Sequence, residues 1–177
     1  MTNVEVETVK GSVAMIILGI DPGTAISGYG VIQTDRSGRL KVLGYGAIRT
    51  AANLGMDQRL LQIYDGIQRL IDEYSPQCLA IEELFFNRNV TTALTVGQAR
   101  GVVILAAAHR GLPIAEYTPL QVKQSVTGVG RAPKEQVGYM VRLLLGLAEV
   151  PRPDDVADAL AVGICHAHNG LGWRGQR

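Results

Sequence analysis

Residues 78–86 read CLAIEELFF, an apolar strand sequence interrupted by two adjacent acids. A carboxylate buried in such a strand is strongly destabilising unless it is ion-paired or bound to a metal. The chain places no Lys or Arg close in sequence to Glu82. The same is true of Asp21, which ends another apolar run, Met15–Asp21 (MIILGID), just before Pro22 and Gly23. Any fold that buries these two strands has to account for both charges. Glu82 and Glu83 point to opposite faces of a strand, so one of the two is explained as plain solvent charge.

Periodicity organises the rest of the chain. Residues 27–34 and 39–50 read as two further strands, and Asp35–Gly38 is a hairpin-type turn between them. The segment 57–74 carries Leu60, Leu61, Ile63, Tyr64, Ile67, Leu70 and Ile71 at helical spacing. A fourth strand over 78–86, a helix over 91–110 and a fifth strand over 113–117 follow. Helices over 119–125, 134–147 and 155–168 complete the pattern, the last nearly all apolar after its first turn. This order, three strands and then alternating helices and strands, predicts an α/β fold with a mixed sheet flanked by helices.

The 177 residues suit one domain at roughly 100–200 residues each. That length is too short for a two-lobed kinase. With 47% hydrophobic and 19% charged residues the chain reads as globular rather than disordered. No apolar run reaches the ~18 residues that span a bilayer, so no membrane partner is expected. Residues 1–14 lack both a period and the order of a signal peptide. The expected organisation is a disordered leader over 1–14, a domain over 15–169 and a short tail over 170–177, with Met15 as a second plausible start. Cys78 and Cys165 each lie in an apolar run and read as buried free thiols in a cytoplasmic protein.

Four carboxylates stand in unusual company. Asp21 and Glu82 end or interrupt apolar strands. Asp155 and Asp158 lie three apart, on one face at the start of an apolar helix. Strand ends gather functional groups in open α/β sheets, so these acids can converge. Clustered carboxylate oxygens suit Mg²⁺ or Mn²⁺. Two such ions about 4 Å apart would activate a water and stabilise the leaving oxygen of a phosphodiester. Each acid also has a plainer reading: Asp155 as a helix N-cap with Asp158 as its reciprocal partner, Asp21 as a turn acid. The His166/His168 pair does not share a helical face and reads as ordinary cations at a helix C-terminus.

Charge and glycine placement add a polyanion theme. Residues 85–142 hold seven Lys/Arg against two acids, +5, and the remainder is −4. The stretch TGVGRAPK is a flexible basic loop, with Arg131 and Lys134, suited to backbone phosphates of DNA or to nothing beyond solvent. The stretch GIDPGTAISGYG is open to a second interpretation, a phosphate loop like that of the sugar kinase/actin/heat-shock ATPases. No second Asp-x-Gly strand accompanies it.

Taken together, ILGIDPGTAISGYGVI, AIEELFFNRNVTTALTVGQARG, QVKQSVTGVGRAPKEQV and DDVADALAVGICHAH resemble the RuvC family of bacterial Holliday junction resolvases, from about Met15 to His168. The resemblance implies a ribonuclease H-like, five-stranded mixed sheet and a homodimer. It implies a structure-selective endonuclease that makes paired symmetric nicks in four-way DNA junctions, leaving 5′-phosphate and 3′-hydroxyl ends. The family's catalytic, metal-binding acids fall on Asp21, Glu82, Asp155 and Asp158, with Mg²⁺ as cofactor, two ions per site, and Mn²⁺ able to substitute. Its base-stacking aromatic falls on Phe85. Its DNA-contacting lysines fall on Lys123 and Lys134, and Arg131 joins them in the basic loop. The implied partners are the RuvA and RuvB branch-migration proteins.

Overall fold

The structure, a computed structural model, describes residues 15–35, 37–84 and 90–169. The expected leader over 1–14, the tail over 170–177 and the strand positions Phe85 and Phe86 lie outside the described residues.

The chain opens with a meander of β1 (Met15–Asp21), β2 (Ile26–Thr34) and β3 (Leu40–Arg49). The β2–β3 turn is held by Asp35, whose Oδ1 accepts from the amides of Ser37 (2.9 Å) and Arg39 (3.1 Å). Gly38 takes the positive φ of 79° that the turn requires. Then come α1 (Met56–Tyr74), β4 (Cys78–Glu82), α2 (Val90–His109), β5 (Ile114–Tyr117), α3 (Pro119–Thr127), α4 (Lys134–Leu144) and α5 (Asp154–Asn169). The five strands form one mixed sheet in the order β3-β2-β1-β4-β5. β1 to β3 pair antiparallel, whereas β4 lies parallel to both β1 and β5. This is the α/β, ribonuclease H-like architecture that the motifs imply.

The sheet separates two apolar layers. On one face Leu18, Ile20, Leu79 and Ile81 pack with Ile63 and Ile67 of α1 and Val103 and Ala106 of α2. On the other, Ile17, Ile32, Cys78 and Ala80 pack against α3, α4 and α5 through Val122, Val141, Leu160 and Ile164. Both cysteines are free and buried, as their apolar settings predict.

α5 is the centre of that second layer, with every residue from Val156 to Ala167 buried except Asp158. It packs so low on β1 and β2 that side chains are excluded beneath it. A Cβ on Gly19 would lie 2.2 Å from the Ala159 carbonyl oxygen, and one on Gly28 2.0 Å from that of Asp155. A Cβ on Gly30 would meet the Leu160 side chain at 2.4 Å. Gly19 and Gly30 are directly paired across the two strands, so together they floor the groove that receives the helix.

β4 is shorter than the expected 78–86: it stops at Glu82. The Glu83 amide still donates to the Tyr117 carbonyl (2.8 Å), but Glu83 is already exposed and beyond regular pairing on the β1 side. Apolar character alone overstated this strand, because the sheet's carboxyl edge ends it first.

Candidate active site

Register and parity bring Asp21 and Glu82 together. Ile20 pairs with Ile81 in parallel strands, so Asp21 and Glu82 stand at the same level, one step further on. Alternation puts Asp21 on the face of Ile17 and Gly19, and Glu82 on the face of Cys78 and Ala80. That is the face covered by α5. Asp21 is opposite Gly28 on β2, and the missing side chain at Gly28 is what lets the first turn of α5 descend there. Asp155 is the second residue of α5, and Asp158 follows within the next turn. Asp155 therefore stands inside the helix rather than before it as an N-cap.

The electrostatics record the convergence. Burial, and then the charges of Asp158, Asp155 and Glu82, push the Asp21 carboxyl from 3.8 up to about 7. Lys134 partly opposes that rise. Glu82 is also pushed above its ordinary value, first by burial and then by Asp158, with Lys123 and Lys134 opposing. The acids are neighbours at Coulombic range and not a closed ligand set. Among the described residues no three acidic, histidine or cysteine side chains come together as ready ligands for a metal. The cation at hand is Lys134, whose Nζ lies 2.8 Å from Asp158 Oδ2. The donors are all hard carboxylate oxygens, the type Mg²⁺ and Mn²⁺ select. The crowding around Asp21 is of the kind a cation relieves, and Asp158 already holds one. Mg²⁺ or Mn²⁺ therefore fits the residues present, provided Asp158 exchanges its ammonium partner.

Lysines wall the approach. Glu82, Asp158, Lys123, Lys134, Val122 and Val137 line a cleft of about 260 Å³. Lys123 reaches it from α3, which starts at a capping box between Thr118 and Gln121 with Pro119 in its first turn. Lys134 is the first residue of α4. The loop between the two helices is more firmly held than its glycines predict. Gly128 ends α3 with φ of 77°, Thr127 Oγ1 donates to the Lys123 carbonyl (2.8 Å) and accepts from the Val129 amide (3.0 Å), and Ala132 is buried. Arg131 is exposed on this loop and does not line the cleft. Phe85 lies outside the described residues. Two other cations of the +5 segment are paired with acids that do not line the cleft, Arg110 with Asp72 and Arg100 with Glu116, although Arg100 Nε also donates to the Glu82 carbonyl (3.4 Å).

Two alternative interpretations lose their footing. The Asp-Pro-Gly-Thr turn does not offer a free amide at Gly23, which donates to Ser27 Oγ (3.2 Å) while the Ser27 hydroxyl donates back to the Gly23 carbonyl (2.7 Å). The glycines that follow serve helix packing instead of a phosphate. His166 is no C-terminal cation either. It is fully buried, burial pushes its pKa down, and Nδ1 shares a 2.7 Å hydrogen bond with the Tyr117 hydroxyl.

Sequence reasoning passed over two features of the site. One is Asp154, which pairs with Arg152 and stands 3.8 Å from the Lys134 Nζ. The other is the glycine floor, for which the alternation of Gly28 and Gly30 on one strand face was an available signal of close backbone approach.

Comparison with known proteins bears on the same region. The family model described as crossover junction endodeoxyribonuclease RuvC matches residues 17–166. The RuvC protein of Moorella thermoacetica is 64% identical over 153 residues, covering 86% of this chain and 91% of its own. That of Desulforamulus reducens is 59% identical over 153 residues, covering 86% and 93%. Among solved structures, Thermus thermophilus RuvC in complex with a Holliday junction substrate superposes with a TM-score of 0.84 at 38% identity. It covers 89% of this chain and 95% of that one. A yeast mitochondrial Holliday junction resolvase shares the fold, with a TM-score of 0.59 at 14% identity over 88% of this chain and 81% of that one.

Proposed function

This chain belongs to the RuvC family of crossover junction endodeoxyribonucleases, and from that premise we propose that it cuts four-way DNA junctions at the acidic cluster ending β1. It is a Holliday junction resolvase, a hydrolase of phosphodiester bonds in recombination and repair. Asp21, Glu82, Asp155 and Asp158 are the catalytic and metal-binding acids of this reading. The observation that carries it is the convergence itself: strand register sets Asp21 and Glu82 level on the face where the first turn of α5 brings Asp155 and Asp158, a crowding that with burial pushes the Asp21 carboxyl up to about 7. Strand ends and a helix first turn do not crowd four acids for the sake of stability.

Bound Mg²⁺, two ions per site with Mn²⁺ as a substitute, supplies a lowered pKa for the attacking water and charge relief for the leaving oxygen. The chain's own residues do the rest. Asp21 and Glu82, fixed by strand register, and Asp155 and Asp158, fixed by α5, hold the cations at one place. Lys123 and Lys134, which line the same cleft as Glu82 and Asp158, meet the scissile phosphate, and Arg131 reaches a neighbouring phosphate from the loop. Phe85, three residues beyond Glu82, stacks on an unpaired base at the crossover. The products carry 5′-phosphate and 3′-hydroxyl ends.

The reading extends to a homodimer with two sites at fixed spacing, which suits two symmetry-related strands. Leu94 and Leu105 of α2 are 66% and 60% exposed, and Gly101 lies on the same helical face with open space above it. That strip suits helix-to-helix contact with a second copy. RuvA and RuvB are the branch-migration partners, and the site of action is cytoplasmic. Among the described residues no helix is long and apolar enough to cross a membrane.

A synthetic mobile four-way junction and a linear duplex of the same sequences, incubated with the protein in Mg²⁺ or in EDTA, test this function. Paired nicks on opposed strands of the junction alone, and only with Mg²⁺, are expected. Equal cutting of the duplex, or phosphate release from ATP without cutting, would overturn it.

A further inference from the structure

Lys134 is unusual among the site's residues in having two carboxylate partners of different standing. Its Nζ lies 2.8 Å from Asp158 Oδ2, inside the acidic cluster, and 3.8 Å from Asp154 Oδ2, outside it. Asp154 and Asp158 are one helical turn apart on α5, so both present to the start of α4. The second oxygen of Asp154 is held by the Arg152 guanidinium, which keeps that carboxylate in place whatever Lys134 does. Lys134 also divides two openings. On one side is the cleft shared with Glu82 and Lys123. On the other is a groove of about 200 Å³ shared with Glu135, Arg152 and Asp154.

We propose that Lys134 and Asp154 form a built-in counter-ion switch, in which the Lys134 ammonium holds Asp158 until a divalent cation takes that carboxylate and then passes to Asp154. This deepens the metal-site reading and rests on it. The exchange needs little motion, since the two distances differ by 1.0 Å and the Lys134 side chain is 54% exposed. Burial disfavours the ammonium, but the hydrogen bond and charge of Asp158, followed by Asp154 and Asp21, outweigh burial and raise its pKa. Two consequences follow from the geometry. Without metal, Asp158 is not left as a bare charge beside Asp21. With metal, Lys134 is not released to solvent but parked beside Asp154 and Arg152, in the second groove that adjoins the cleft. Asp154 is thus a positioning residue acting through Lys134, distinct from the four acids that hold metal.

The test is Mn²⁺ binding to the full chain without DNA, followed by electron paramagnetic resonance, for wild type, Lys134→Gln, Asp154→Asn, the double variant and Asp21→Asn. An exposed ion pair that must be exchanged sets the scale: Lys134→Gln should tighten Mn²⁺ about 2- to 5-fold. Asp154→Asn should weaken it in the wild-type background and weaken it less when Lys134 is already Gln, because the parking function then has no ammonium to receive. Equal Mn²⁺ affinity in wild type and Lys134→Gln, with binding still abolished by Asp21→Asn, would overturn the switch and leave the metal site standing. The same effect of Asp154→Asn in both backgrounds would remove Asp154 from the switch. Mn²⁺ binding indifferent to Asp21→Asn in every background would overturn the metal-site reading and the switch with it.

Discussion

Replacing Asp21 by Asn should stabilise the metal-free protein, and the gain should depend on pH in a defined way. The carboxyl is raised from 3.8 to about 7 by burial and by three neighbouring acids. A raised acid favours the folded state in its protonated form, so its contribution is fully present below 3.8 and is lost as pH rises through about 7. A gap of that size corresponds to ~4 kcal/mol when the group is fully ionised in the fold. At pH 5 the folded carboxyl is still mostly protonated, and the penalty is only ~1.6 kcal/mol. Asn keeps the shape and carries no charge. The variant should therefore exceed wild type by ~1–2 kcal/mol at pH 5 and by up to ~4 kcal/mol at pH 8, with a plateau above that. For 150–250 residues each kcal/mol shifts Tm by about 2–4 °C, so the pH 8 difference is about 8–16 °C. Denaturant titrations of both proteins in EDTA from pH 4 to 9 measure this directly. Added Mg²⁺ should then stabilise wild type and not the variant. A variant no more stable than wild type at pH 8, or a gain that does not vary between pH 4 and 7, would refute the crowding of Asp21.

Gly28→Ala should be severe for a backbone reason, since its Cβ would sit 2.0 Å from the Asp155 carbonyl oxygen. A loss of about 3 kcal/mol or more by urea denaturation is expected, and any folded fraction should bind Mn²⁺ weakly because Asp155 is lifted from Asp21. Lys123→Ala and Lys134→Ala should each flatten the log–log salt dependence of junction binding by roughly 0.9; unchanged slopes would move the DNA surface elsewhere. Phe85→Ala should slow cutting of a fully paired junction about 10–100-fold, the equivalent of stacking worth ~1–3 kcal/mol, and premade unpaired bases at the crossover should restore much of the rate. No rescue would make Phe85 a packing residue.

Most of the architecture was legible in the sequence because its periods are clean. Alternation marks β2, a helical stripe marks α1, and apolar runs bounded by Gly, Pro and polar turns mark the other strands and helices of the described residues, while the acids stand out because their surroundings are apolar. The limits are physical. The end of β4 depends on where neighbouring strands stop, and CLAIEELFF carries no mark of that edge. The closeness of α5 to the sheet depends on three glycines on two strands, Gly19, Gly28 and Gly30, whose shared purpose appears only once β1 and β2 are paired. Lys134 is 24 residues from Asp158 in the chain, and Asp154 reads as an ordinary first-turn acid. Their connection through one ammonium is a tertiary fact. His166 looked like a terminal cation because the buried side of a late helical turn is set by β5, through Tyr117, and not by its own sequence.

Glu82 tests most directly whether the four acids act together as a metal-dependent cutting site, because its charge interrupts a strand that is otherwise apolar and buried. Single-turnover cleavage and junction affinity should be measured on the same samples of wild type and Glu82→Gln in Mg²⁺, with an EDTA control. Loss of an outer-shell partner at a metal site costs 10–100-fold, so removal of a direct ligand should slow cutting by more than ~100-fold. Junction affinity should hold or improve, since one negative charge facing phosphate is gone. Cutting by Glu82→Gln within about tenfold of wild type, or wild-type cutting undiminished in EDTA, would contradict the central claim.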